Sequence, residues 1–248
     1  MAFSRKSTSP RFGVFQQNRP EGVIQEAFNS DRITNMGWYC DTLYPKLTNY
    51  LGAGIDDIRR EFLANAQGIV VDVGPATAEN LRFYDPSKVE LVYLIEPTES
   101  FQPYIKQNQA VSSVNSEWLN VGAESMPLES ESIDTVVSMF TLCTISDGPA
   151  ALADIKRVLK PRGQFLFMDH GRTPHRFHRL LQVLEEPIHK RVFGGCSLSC
   201  NIESMLRDAG FEIDDGMEVG YPPPDAGLPW WMPDYWVYTW TGVARRPD

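Results

Sequence analysis

Four short, almost wholly apolar stretches constrain the fold of this chain more than anything else in it. GIVVDVG (68–74), VELVYLIEP (89–97), SIDTVVSMFTLCTI (132–145) and QFLFMDHG (164–171) each carry an apolar run that gives way to a polar or turn-forming group. A strand with one face in water alternates apolar and polar residues. A strand covered on both faces does not, and it belongs in a parallel sheet lying between helices. EWLNVGAES (117–125) reads as a further short strand, and YWVYTWTGVAR (235–245), which alternates, as a last, edge strand. Helical stretches intervene at 43–51, 55–63, 78–84, 101–110 and 148–163, the last closed by Pro161 and Gly163, and 203–213 reads as a helix and turn leading into a further strand. Strands and helices in alternation predict an α/β fold, a Rossmann-like, doubly wound, seven-stranded and mostly parallel sheet. Such sheets bind ligands beyond the carboxyl ends of their strands. That singles out 74–80, 96–97, 122–124, 138–143 and 169–171.

The remaining composition narrows the function classes. A length of 248 residues suits a single domain over 36–248, preceded by an arm over 1–35 that is either loose or folded over the site as a lid. The net charge of −9 repels phosphate backbones, so nucleic acid is not an expected partner. No apolar run reaches the roughly 20 residues that span a bilayer, and the N-terminus lacks the apolar core of a secretory signal. Four cysteines in a chain of this length point to a reduced, cytoplasmic setting. Cys196 and Cys200 have a C-x3-C spacing, but zinc needs further ligands and no second cysteine pair or spaced histidine pair supplies them. His175 and His178 stand among Arg172, Arg176 and Arg179, which repel a cation. No metal is expected.

Beyond the individual stretches, the order of motifs carries a likeness. VVDVGPATAEN at 70–80, the second strand ending in Glu96, PLESESIDTVVS at 127–138 and LKPRG at 159–163 together resemble the class I S-adenosylmethionine-dependent methyltransferases. The likeness spans roughly 36–245. It is greatest to the small quinone-biosynthesis and thiol-methylating branch, which EPIHKRVFGGCSL and the aromatic tail also resemble. The family's first loop runs approximately (D/E)-x-G-C-G-T-G-x-N. Here Gly74, Thr77 and Asn80 are kept, and Ala76 and Ala78 replace two glycines. Glycine permits a positive φ and close backbone approach to a ligand. If φ is positive at 76, alanine strains the loop; if negative, it is tolerated.

The resemblance implies S-adenosylmethionine as cofactor, held by Asp72, Gly74, Ala76, Thr77 and Asn80 in the first loop and by Glu96 and Pro97 after the second strand. Ala123 and Glu124 would meet the adenine, and Ser138 and Met139 the methyl-donor end. Glu96 would accept hydrogen bonds from the ribose hydroxyls; otherwise it is a strand-end carboxylate in solvent. Asp72 would orient the loop or the cofactor amine, or else is a buried acid tied to local backbone, and Met139 is equally at home in a plain core. His170, with Asp169 beside it, is the general-base candidate, because imidazole can take a proton near neutral pH; a structural, hydrogen-bonded histidine reads equally well. The aromatic cluster Trp230, Trp231, Tyr235, Trp236, Tyr238 and Trp240 suggests a lid over a hydrophobic small-molecule substrate. The expected activity is methylation of such a molecule in secondary metabolism, with room for a homodimer. The two alanines keep open a second reading, in which the fold catalyses cyclisation, rearrangement or isomerisation without using the cofactor, and a weaker third, a non-catalytic subunit.

Overall fold

A computed structural model of the chain describes residues 55–221 and 232–248, together with Lys46. The arm over 1–35, most of the stretch read as a helix at 43–51, Cys40, Trp230 and Trp231 lie outside the described residues. The sheet is built from β1 (Gly68–Val73), β2 (Val89–Ile95), β3 (Ser116–Leu119), β4 (Ile133–Met139), β5 (Leu159–His170), β6 (Glu212–Ile213), β7 (Glu218–Gly220) and β8 (Thr239–Arg245). The helices are α1 (Asp56–Leu63), α2 (Gln102–Val111), α3 (Gly148–Val158), α4 (Arg176–Val192) and α5 (Ile202–Asp208).

The strand order is β3-β2-β1-β4-β5-β8-β6, with β7 also paired to β8. β1 through β5 are parallel, and β8 is antiparallel to β5, β6 and β7. β6 meets Ala244 and Arg245 while β7 meets Thr239 through Thr241, so two short strands share the outermost of seven positions. The chain order reverses between β1 and β4, which opens the ligand crevice beyond their carboxyl ends.

Neighbouring residues of one strand feed different cores. Val71 and Val73 pack with Val136, Phe165, Phe167, α3 and α5 on one face, while Val70, Leu94, Val137 and Leu166 pack with α1 and α2 on the other. This is the burial on both faces that the apolar strands require. α3 starts where the Asp147 carboxylate accepts the Ala150 N–H at 3.0 Å, with Pro149 in the first turn, and it buries Ala151, Leu152, Ile155 and Val158.

Several expected boundaries move. The predicted helix over 78–84 is a single 3-10 turn, Glu79–Arg82, because Ala78 before it is left-handed. The strand read at 117–125 ends at Leu119. The helix read over 148–163 stops at Val158; β5 already begins at Leu159 and passes a bulge, with φ +58° at Arg162. The strand read at 235–245 starts at Thr239, after a 3-10 turn at Asp234–Trp236, and it lies inside the sheet rather than at its edge.

Candidate active site

β1 carries Asp72 and Val73 to the mouth of the crevice, and the loop after it has an unusual backbone. Gly74, Ala76 and Ala78 are all left-handed, with φ of +60°, +50° and +61°. The chain therefore keeps the path of a three-glycine loop with methyl groups at two of the three positions, each at a cost of about 1–2 kcal/mol. Surrounding contacts hold that path. Glu96 accepts the Ala76 N–H on Oε2 at 3.1 Å and the Thr98 N–H on Oε1 at 2.9 Å. Thr141 Oγ1 donates to the Gly74 carbonyl at 3.1 Å, and Asn108 donates to the Thr77 carbonyl at 2.8 Å. Gly74 has no room for more: a Cβ there would lie 2.3 Å from Thr141 Cγ2. The Ala78 methyl is fully buried, and Ala76 is half-buried against the same core cluster.

Asp72 does not face the crevice. It is fully buried, its oxygens accept from Asn80 at 3.0 and 3.2 Å, and Tyr84 Oη donates to it at 2.9 Å. Burial pushes its pKa up from 3.8 to about 6, against the lowering effect of those two donors and of Arg59. Asp72 and Asn80 thus brace the loop from behind, and Tyr84, which the sequence did not single out, completes the brace.

Glu96 ends the second strand with 5% of its surface exposed, and burial holds its pKa above the usual carboxylate range despite donors from Thr98 and Ala76. Each of its oxygens accepts one backbone N–H and keeps a lone pair, the pair of acceptors that two ribose hydroxyls require. Nearby, Ser100 Oγ is buried without a partner. The glycine-like loop, the doubly available carboxylate and the waiting hydroxyl fit S-adenosylmethionine. Pro97 is exposed beside them. The Ala123 methyl packs into the core, which leaves only its backbone for a ligand, and the Glu124 carboxylate folds back over Gly122.

Beyond β4 and β5 the groups are softer. Ser138 Oγ donates to Asp169 Oδ2 at 3.0 Å, and the Cys143 N–H donates to Asp169 Oδ1 at 3.3 Å. Both Ser138 and Asp169 are fully buried, and desolvation raises Asp169 to about 7. Asp169 therefore positions the Cys143 loop rather than facing the crevice. His170 is half-buried, with the Phe140 ring 4.7 Å away, and Phe140 itself is held at φ +58°. Met139 is half-buried beside it against the second core. His170 Nδ1 lies 3.3 Å from Cys196 Sγ and 3.8 Å from Cys143 Sγ, and the two sulfurs are 3.3 Å apart. The Cys143 thiol facing it holds Cys196 well below the ordinary thiol range, with the imidazole adding to the effect. Burial pushes His170 down, but Cys196 more than offsets this and the ring stands above its usual value. Cys143 moves the opposite way, raised by its hydrogen bond to Cys196 and by burial.

This three-residue group was not visible in the chain. Cys143 lies within a post-strand window and Cys196 in a C-x3-C pair, but no sequence spacing joins residues 53 positions apart. The His175 and His178 rings lie 4.6 Å apart, tilted by 46°, and His178 packs with Tyr221 and Tyr235. Of the described aromatic tail, Tyr235 and Trp236 both donate to Glu185 on α4, Tyr238 is buried, and Trp240 belongs to β8 and packs against the core.

Comparison with known proteins agrees with this geometry. A methyltransferase domain family matches residues 71–167, from β1 to β5. The thiol S-methyltransferase TMT1B of Rattus norvegicus is 26% identical over 206 residues, which cover 77% of this chain and 83% of that protein. Among solved structures, the complex of the Haloferax volcanii Trm112 methyltransferase activator with a methyltransferase superposes with a TM-score of 0.62 at 17% identity, covering 85% of this chain and 96% of that one. The [4+2]-cyclase SpnF superposes with a TM-score of 0.58 at 18% identity, covering 77% and 79%. Strand order, sequence relatives and the family match over 71–167 converge: the chain carries the methyltransferase domain of the class I S-adenosylmethionine-dependent methyltransferases.

Proposed function

We propose that this methyltransferase acts on the sulfur of a hydrophobic small-molecule thiol, in a reduced cytoplasmic setting and as a step of secondary metabolism. One observation carries the choice of sulfur. Beyond β4 and β5, half-buried Met139, Phe140 and His170 stand next to the buried sulfurs of Cys143 and Cys196, while the carboxylate at that strand end, Asp169, is turned into the core. Soft, apolar and imidazole groups suit a thiol better than an amine or a carboxylate. The TMT1B relative, a thiol S-methyltransferase, supports the same reading.

The bound cofactor supplies an electrophilic methyl group. Glu96 would accept from the ribose hydroxyls, and the left-handed loop would offer its backbone to the cofactor. An ordinary thiol, with a pKa of about 8.5, is only a few per cent ionised at neutral pH. A basic group at the strand end is therefore useful, and the half-buried His170 is the group that this reading assigns to it. Alignment of sulfur and methyl supplies most of the rate.

The test is a methyl-acceptor panel of alkyl and aryl thiols beside matched phenols and amines. Methyl thioethers should form, with release of S-adenosylhomocysteine, and Glu96→Ala should abolish the reaction. Methylation of the phenols or amines alone would refute the choice of sulfur. The two alanines in the first loop keep the cyclase reading alive. Conversion of a substrate with no S-adenosylhomocysteine released, undiminished in Glu96→Ala, would favour it.

A further inference from the structure

Cys143, His170 and Cys196 come from three separate segments: the loop after β4, the end of β5 and the connection from α4 to α5. Their donor atoms form a triangle with sides of 3.3, 3.3 and 3.8 Å. A tetrahedral zinc ion with bonds of about 2.3 Å to sulfur and about 2.0–2.1 Å to nitrogen sets two sulfurs about 3.8 Å apart and sulfur and nitrogen about 3.6 Å apart. The observed triangle meets those separations to within about half an ångström, a movement that small side-chain rotations supply.

The backbone around the three residues is fixed independently of any ion. The Ser197 N–H donates to the Cys143 carbonyl at 2.8 Å, which lays the two cysteine segments side by side. Asp169 receives the Cys143 N–H at 3.3 Å, and His189 Nδ1 donates to the Cys196 carbonyl at 3.1 Å. Phe140 closes one side of the His170 ring. Supporting contacts of this kind orient ligands in a metal site. Both cysteines are buried and His170 is half-buried, so the group is closed on the protein side and reaches outward at the histidine. Two thiolates and an imidazole are a donor set that favours zinc among the common cations, and three protein ligands leave a fourth position for a substrate.

We infer that Cys143, His170 and Cys196 form a three-ligand zinc site whose fourth position takes the sulfur of the thiol substrate. This rests on the choice of a thiol substrate above, but it gives His170 the part of a ligand in place of a proton acceptor, and it departs from the absence of metal expected from the C-x3-C spacing. The incoming thiol loses its proton to solvent on coordination, so it is held as a thiolate at neutral pH. The thiolate sulfur forms a bond to the transferred methyl carbon. The bond from that carbon to the sulfonium sulfur breaks, and its electron pair stays on that sulfur as S-adenosylhomocysteine. The neutral thioether product is a weaker ligand than the thiolate and leaves.

The test is cobalt(II) titration of the reduced, chelator-treated protein, followed by the thiolate-to-cobalt charge-transfer absorption and by competition with zinc(II). One equivalent should bind and zinc should displace it. Cys143→Ser, Cys196→Ser and His170→Ala should each weaken binding at least about tenfold, while Cys200→Ser should leave it unchanged. Absence of the absorption band in the folded wild type would overturn the site, as would a band that survives in Cys143→Ser and Cys196→Ser alike. A Cys143–Cys196 disulfide that persists in place of metal binding under reducing conditions would also overturn it. His170→Ala provides a check that does not depend on removing a sulfur from the core. Binding is read without turnover, so the two proposals fail separately. Metal bound at this site with no thiol methylated refutes the thiol reading; thiols methylated at full rate by metal-free protein refute the site.

Discussion

Ala76→Gly and Ala78→Gly look alike in the sequence, yet the structure separates them. Each substitution relieves a left-handed alanine, worth about 1–2 kcal/mol. Each gives back about 0.4–1 kcal/mol, because glycine frees the unfolded chain. The difference lies in the methyl. Ala78 is fully buried, and deleting its methyl costs about 0.8 kcal/mol; at half-buried Ala76 the loss is about half of that. Central values leave Ala76→Gly stabilising by about 0.4 kcal/mol and Ala78→Gly near zero. For a chain of this size the former raises the melting temperature by about 1–2 °C. Thermal melts of the two variants check this, and titration with S-adenosylhomocysteine gives the functional half, in which Ala76→Gly should tighten binding. If Ala78→Gly stabilises more than Ala76→Gly, or Ala76→Gly lowers the melting temperature, then loop strain and methyl burial have been wrongly apportioned.

The buried Asp72 makes stability depend on pH in a direction unusual for a carboxylate. Its folded pKa of about 6 lies above the ordinary 3.8, so the folded state holds the proton more tightly and stability falls as pH rises from about 4 through about 6. Asp72→Asn should flatten that part of the profile in urea melts at about pH 4 and about pH 7; an unchanged slope would assign it to other groups. Gly74→Ala should destabilise by about 3 kcal/mol or more, since it combines a positive φ with a Cβ placed 2.3 Å from Thr141 Cγ2. Thr141→Ala in the same chain should restore the part due to collision and leave the part due to φ, as measured by denaturant midpoints.

The fold was legible because burial on both faces writes itself into the chain as unbroken apolar runs, and β1, β2, β4 and β5 follow those runs. Glu96 was legible for a related reason: an acid that ends such a strand stands where the crevice opens. β8 was misplaced because alternation reports which faces of a strand are covered and says nothing about its edges. Here both edges are paired. The helix predicted at 78–84 failed locally, where a left-handed Ala78 interrupts the path and Asn80 and Tyr84 turn inward to Asp72. Asp169 and His170 are neighbours in the chain, yet one faces the core and the other the cysteines, as the alternation of a strand dictates. The pairing of Cys143 with Cys196 had no local signal. It exists only once the segment after α4 folds back over the loop after β4.

β8 has a consequence for the order in which the molecule is made. It pairs along β5 from Gln164↔Arg245 to His170↔Thr239, and Trp240 lies opposite Asp169. The strand that presents His170 therefore lacks one neighbour until a segment about seventy residues further along has left the ribosome. Before then the exposed edge of β5 can pair with other nascent chains, and closing so long a loop is slow. Synthesis that stalls before β8 should yield a chain that keeps its first loop but is prone to aggregate, with the acceptor side of its crevice unformed.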